Sequence, residues 1–194
     1  MSFVAKFEVI DGHLFRFDTR IYLGQYNPKA KSKCIGAIIG KNPGSAKPKN
    51  LGVLEPLNLD GDKMLPFVKN RFDSAYKNIG KSPSENVFIR VWNLFYLCNA
   101  NLEEAKQVFS SFESPPFCAT ETEKAPVVWF GWGGNDKFLN PFKERFVSRK
   151  HNNPFFYDNK FHKIQKFVPS VIDSAKHTQG LPKLPVEQHL AEVL

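Results

Sequence analysis

Three short apolar runs, Cys34-Ile35-Gly36-Ala37-Ile38-Ile39, Val87-Phe88-Ile89-Arg90-Val91-Trp92 and Pro126-Val127-Val128-Trp129-Phe130, each stop at a polar or glycine-rich turn. Runs of this length that are apolar at nearly every position read as strands buried on both faces. Between the first two lies Lys63 to Ile79, where Met64, Phe67, Val68, Phe72, Ala75 and Tyr76 recur near helical spacing. After the second, Leu102 to Phe112 reads as a helix, with Asn101 as N-cap and Glu103 and Glu104 in the first turn, where negative charge is favoured. Strands that alternate with helices predict an α/β fold, here a three-layer α/β/α sandwich around a mostly parallel central sheet.

The flanks fit one domain over residues 1–194, made of a margin (1–33) and a core (34–194). Phe3 to Leu23 alternates apolar and polar residues around Asp11-Gly12 and predicts a hairpin at the sheet margin. Ser45 to Asp62 reads as a long loop, Asn140 to Val147 as a helix, and Lys163 to Ile172 as a further short element before a Gly/Pro-rich tail. Cys34, Cys98 and Cys118 are too few and too dispersed for a metal or disulfide framework, so reduced thiols and no metal or cofactor are expected. No apolar stretch reaches membrane-spanning length and the start lacks a signal peptide's apolar segment, which predicts a cytoplasmic monomer.

The three strand ends carry the chemistry. In open α/β sheets, ligands lie outside the carboxyl ends of the strands, where loops supply fixed polar groups. Gly40-Lys41-Asn42-Pro43-Gly44, Asn93-Leu94-Phe95 and Gly131-Trp132-Gly133-Gly134-Asn135 occupy those positions. Pro43 pushes Asn42 toward extended geometry, and Gly44 permits a left-handed turn or close approach to a ligand. An ordinary strand-terminating turn is the competing reading of each. With 27 Lys and Arg against 19 Asp and Glu, a net charge of +8, and 19 phenylalanines, the surface suits a polyanion whose bases can stack.

This trio of loops resembles the uracil-DNA glycosylase superfamily, closest to its mismatch-specific and thymine-DNA glycosylase branch. Gly40, Asn42, Pro43 and Gly44 match a G-x-N-P-G motif, and Asn93 and Gly131-Trp132-Gly133 follow in the same order. The chain is also similar to bacterial and phage proteins with an N-P-S/G-x-A loop, through Asn42-Pro43-Gly44-Ser45-Ala46, Asn93-Leu94-Phe95 and Thr178-Gln179-Gly180-Leu181-Pro182. The tail departs from the superfamily's His-Pro-Ser or Asn-Pro-Ser motif: Leu184 precedes Pro185, and His177 is the candidate replacement.

The resemblance implies a monofunctional DNA glycosylase that flips a pyrimidine and hydrolyses its N-glycosidic bond with water. Asn42 would orient the water and His177 would serve the leaving base. Gly40, Pro43, Gly44 and Asn93 would contact the base, with Phe67, Phe72 or Phe95 beneath it. A glycine at position 44, where uracil-specific relatives carry tyrosine, implies room for a C5-substituted base, as in mismatched thymine or hypermodified phage DNA. Lys41, Ser45, Lys47, Lys49, Trp132, Gly133, Thr178 and Lys183 would contact DNA. Asp60, Asp62 and Asp73 are carboxylates for a sugar cation or plain loop and helix-start residues, while Trp92 and Trp129 read as core. His13, His151, His162 and His189 show no metal or triad spacing. The alternatives are a nucleic-acid binder without catalysis and an enzyme acting on free nucleotides or nucleosides.

Overall fold

Both alternate sets of side chains in the central strands are apolar, so the strands need cover on both faces, and the computed structural model supplies it. The structure describes residues 2–59, 61–134 and 136–194; Asp60 and Asn135, named above, lie outside them. The strands are β1 (Phe3–Ile10), β2 (His13–Tyr22), β3 (Lys33–Gly40), β4 (Leu54–Pro56), β5 (Val87–Asn93), β6 (Val128–Phe130), β7 (Pro154–Asp158) and β8 (Lys163–Gln165). The helices are α1 (Met64–Asn78), α2 (Leu102–Phe109), α3 (Asn140–Val147) and α4 (Lys183–Val193). One mixed sheet runs in the order β4-β1-β2-β5-β3-β6-β7-β8.

The expected mostly parallel sheet is corrected by this order. Parallel pairing is confined to β5/β3, β3/β6 and β6/β7. The pairings β1/β2, β1/β4, β2/β5 and β7/β8 are antiparallel. The N-terminal hairpin turns at Asp11-Gly12, both residues having positive φ, as a tight two-residue connection requires. β2 pairs with β5, and the short β4 pairs with Val4, Ala5 and Lys6 on the outer edge of β1. That pairing shortens an otherwise exposed edge.

Successive residues of each central strand enter opposite cores. Ile38 and Trp129 pack with Leu65, Val68 and Phe72 of α1 and with Val186 and Leu190 of α4. Ala37, Ile39, Val128 and Phe130 pack with Ala105 and Phe109 of α2 and with Phe142 and Phe146 of α3. Phe72 is wholly buried, and its ring would meet a Cβ at Gly36 at 3.2 Å. Burial of such a ring is worth about 1.5–3 kcal/mol.

The expected helices form, with α2 ending at Phe109 rather than Phe112. Asn101 caps α2, its side chain accepting from the backbone N–H groups of Glu103 and Glu104. The Gly/Pro-rich tail yields α4, whose Pro185 falls in the first turn, where a missing N–H costs no helical bond. Among the described residues, no helix is long and apolar enough to cross a membrane.

Candidate functional site

Parallel pairing aligns Gly40 with Asn93 and Ile39 with Phe130, so the carboxyl ends of β3, β5 and β6 share one rim. The loop after β3 is stitched to the end of β5: Leu94 N–H donates to Gly40 O at 3.0 Å, and Phe95 N–H to Lys41 O at 3.3 Å. Gly40 sits in close approach: a Cβ there would lie 3.0 Å from Asn93 Oδ1 and 3.2 Å from Met64 Sδ, so a side chain would push on both. Asn42 is held by its own amide, Nδ2 donating to Asn99 O at 2.6 Å. Its Oδ1 has no hydrogen-bond partner among the described residues.

The third turn brings the tail to the same place. Gly133 N–H donates to Ala175 O at 2.8 Å, and Gly133 has a φ of 61°. A Cβ on it would fall 2.8 Å from His177 Cβ, so the glycine is what lets His177 reach the rim. The fully buried Lys143 donates to Gly134 O at 3.3 Å and Val171 O at 3.0 Å, strapping the turn to the tail. Burial pushes its ammonium pKa down, Asp136 opposes this, and the nearby positive charge of Lys41 adds to the lowering.

Two adjoining cavities result. The first, of about 290 Å³, is lined by Asn42, Pro43, Gly44, Ser45, Asp62 and His177, among others. The second, of about 470 Å³, shares Asn42 and His177 and adds Lys41, Gly133, Asn159, Lys176 and Gln179. Burial holds the His177 imidazole below its ordinary pKa; Lys41 lowers it further and Asp62 opposes them. Gln179 N–H donates to His177 Nδ1 at 3.3 Å, so the neutral ring carries its proton on Nε2 as a donor.

Asp62 has two tasks. Oδ1 accepts from Met64 and Leu65 N–H at the start of α1, while Oδ2 lies 3.8 Å from Arg16 Nη2. Arg16 is 1% exposed, and none of its three side-chain nitrogens has a hydrogen-bond partner among the described residues. Burial depresses its pKa, countered by Asp62. A buried charge held by one partner at 3.8 Å stabilises poorly, and an apolar isostere is often better. Replacing both partners, Arg16→Met with Asp62→Asn, is therefore expected to raise the unfolding free energy by about 1–4 kcal/mol. Urea denaturation measures this, and a destabilised variant would show that the guanidinium is a structural support.

Several expected site residues lie elsewhere. Phe72 is core beneath α1, and Phe67 packs toward Trp129 with Arg71 over its ring; neither lines the rim cavities. Phe95 is buried against Phe109 and Phe142. Trp132 is fully buried, edge-on to Phe130, so it presents no surface to DNA. Thr178 is 3% exposed and its carbonyl closes a turn by accepting from Leu181 N–H, which removes it as a surface contact. Asp73 pairs with Lys69 along α1, outside both cavities. Lys47, Lys49 and Lys183 are exposed but line neither cavity. Asn93 lies under Gly40 rather than in a cavity wall, with Nδ2 and Oδ1 both buried and unpaired among the described residues.

Arg16, Asn159, Lys176 and Gln179 were not anticipated. A charge inside the alternating segment Leu14-Phe15-Arg16-Phe17 reads as solvent-facing, and arginine is rarely fully buried, so no local signal marks its burial. Among the described residues, no group of His, Cys, Asp or Glu is arranged to hold a metal. Comparison of the chain with protein-family models, curated proteins and solved structures returns no match.

Proposed function

We propose that this chain is a monofunctional DNA glycosylase that hydrolyses the N-glycosidic bond of a flipped, C5-substituted pyrimidine and leaves an abasic site. The observation that carries this reading is the setting of Asn42: its amide nitrogen is committed to Asn99 O, and its unpaired carbonyl oxygen belongs to a residue on the same cavity wall as Asp62 and His177. Cleavage moves the bonding electrons onto the base and leaves positive charge on the sugar, so a catalyst must serve both charges and the incoming water.

Each group has a matching task. Asn42 Oδ1 accepts from water and aims its lone pair at the anomeric carbon. The Asp62 carboxylate stabilises the sugar cation and takes the proton that water releases on attack. The Nε2–H of His177 donates to the oxygen of the departing base anion. Asn93, buried under Gly40 and outside both cavities, takes no part in reading the base. Gly44 has a φ of 72°, with nothing within 4 Å of where a Cβ would project, which leaves space for a substituent on the base. Lys41 and Lys176 supply positive charge beside the adjoining cavity for the backbone phosphates.

The test is incubation with DNA carrying candidate modified pyrimidines, followed by alkali. Base release detected by mass spectrometry, with strand breaks only after alkali, is the expected result. Breaks before alkali would indicate a Schiff-base lyase, and no release from any substrate would favour a non-catalytic binder.

A further inference from the structure

The tip of the β7–β8 hairpin displays an aromatic ring that the fold leaves unused. Phe161 is 59% exposed, and two lysines lie near its ring: Lys160 Nζ is 5.2 Å and Lys163 Nζ 5.9 Å from the ring centroid. Neither lysine forms an ion pair with a carboxylate among the described residues; Asp158, opposite Lys163 across the hairpin, spends its oxygens on the backbone N–H groups of Lys160 and Phe161 and on the Gln165 amide. The exposed Phe167 differs, because its ring meets the buried Phe156 edge-on at 5.5 Å.

The tip is also held in place. Asp158 Oδ1 accepts from the backbone N–H groups of Lys160 at 2.8 Å and Phe161 at 3.3 Å. His162 takes a left-handed φ of 52°, uncommon for a residue with a side chain. Asn159, which starts the tip, lines the second cavity, donates its N–H to Ser174 O, and accepts from Lys176 Nζ at 2.9 Å. Phe161 is two residues along the chain from Asn159, so the tip stands within about 7 Å, Cα to Cα, of a residue in the cavity wall.

We infer that Phe161 is a stacking platform for an unpaired nucleobase of the DNA strand that flanks the flipped nucleotide, with Lys160 and Lys163 contacting its phosphates. This rests on the nucleic-acid reading of the cavity above. The occupant follows from the chemistry: a polyanion answers the two lysines, and a base with a free face answers the ring. A base inside a duplex is stacked on both faces, so the site selects single-stranded or locally opened DNA.

The test measures binding of an unmodified 12-nucleotide single strand and of the matching duplex by fluorescence anisotropy across a salt series, with no base release involved. Phe161→Ala is expected to weaken single-strand binding by about 5- to 150-fold, the range for loss of one base–aromatic stack. Its salt slope and duplex affinity should stay at wild-type values, and Phe161→Trp should retain binding. Lys160→Gln with Lys163→Gln should instead flatten the salt slope by about 0.7 for each phosphate no longer neutralised. Single-strand affinity of Phe161→Ala within twofold of wild type, an equal loss on duplex, or no single-strand binding by the wild-type protein would overturn the inference. Phe161-dependent binding without base release from any substrate would sink the glycosylase reading alone.

Discussion

Asn42→Ala is expected to lower the rate of base release by about 100- to 1,000-fold, or about 3–4 kcal/mol of transition-state stabilisation. On the proposed reading, the substitution removes the oxygen that would hold the attacking water, and little else. The side chain gives up one hydrogen bond, from Nδ2 to Asn99 O, which is worth about 0.5–1.5 kcal/mol of stability. The backbone bonds from Leu94 and Phe95 to Gly40 and Lys41 continue to hold the loop. Single-turnover release at saturating DNA, read beside a thermal melt, separates the two effects. Release within tenfold of wild type would remove Asn42 from water positioning. A matching fall in DNA affinity would show a binding role instead.

Much of this rim is legible in the amino-acid sequence. A strand buried on both faces announces itself as an apolar run, and the turn that ends it names Asn42 without knowledge of its neighbours. His177 is reached less directly, because its approach depends on Gly133 leaving room for its Cβ. Non-local pairing is what local pattern does not encode. β4 is only Leu54-Glu55-Pro56, a strand because β1 offers it an edge. The antiparallel half arises because β2 pairs with β5, a distant segment of the chain, and that choice is not written in either strand. α4 is hidden by Pro182 and Pro185, which punctuate a loop as readily as they open a helix. Trp132 misleads for a related reason. Its glycine neighbours suggest an exposed turn, yet the ring folds inward against Phe130 because an indole gains more from burial than the turn does from displaying it.

Glu121→Ala is expected to destabilise the fold by about 3–5 kcal/mol, the cost of breaking a buried ion pair from one side. The Glu121 side chain is 0% exposed, and both of its oxygens are engaged by Arg145, at 2.7 Å from Nε and 3.1 Å from Nη2. Arg149 approaches Oε2 at 3.7 Å and donates to the Glu121 carbonyl at 3.0 Å. Arg145 Nη2 also donates to Leu94 O at 2.9 Å and Asn93 O at 3.3 Å. The carboxylate therefore fixes the guanidinium that clamps the end of β5, directly behind the loop that holds Asn42. Alanine leaves that cation without its counter-charge, and the loss should appear in urea denaturation as a lower midpoint with an unchanged slope. The double variant Glu121→Leu with Arg145→Met should recover much of the stability, because it removes both charges from the interior. Its base release should nevertheless stay below wild type, since no donor then holds the carbonyls of Asn93 and Leu94. A single variant that costs less than about 1 kcal/mol would indicate a pair that behaves as a solvated surface bridge.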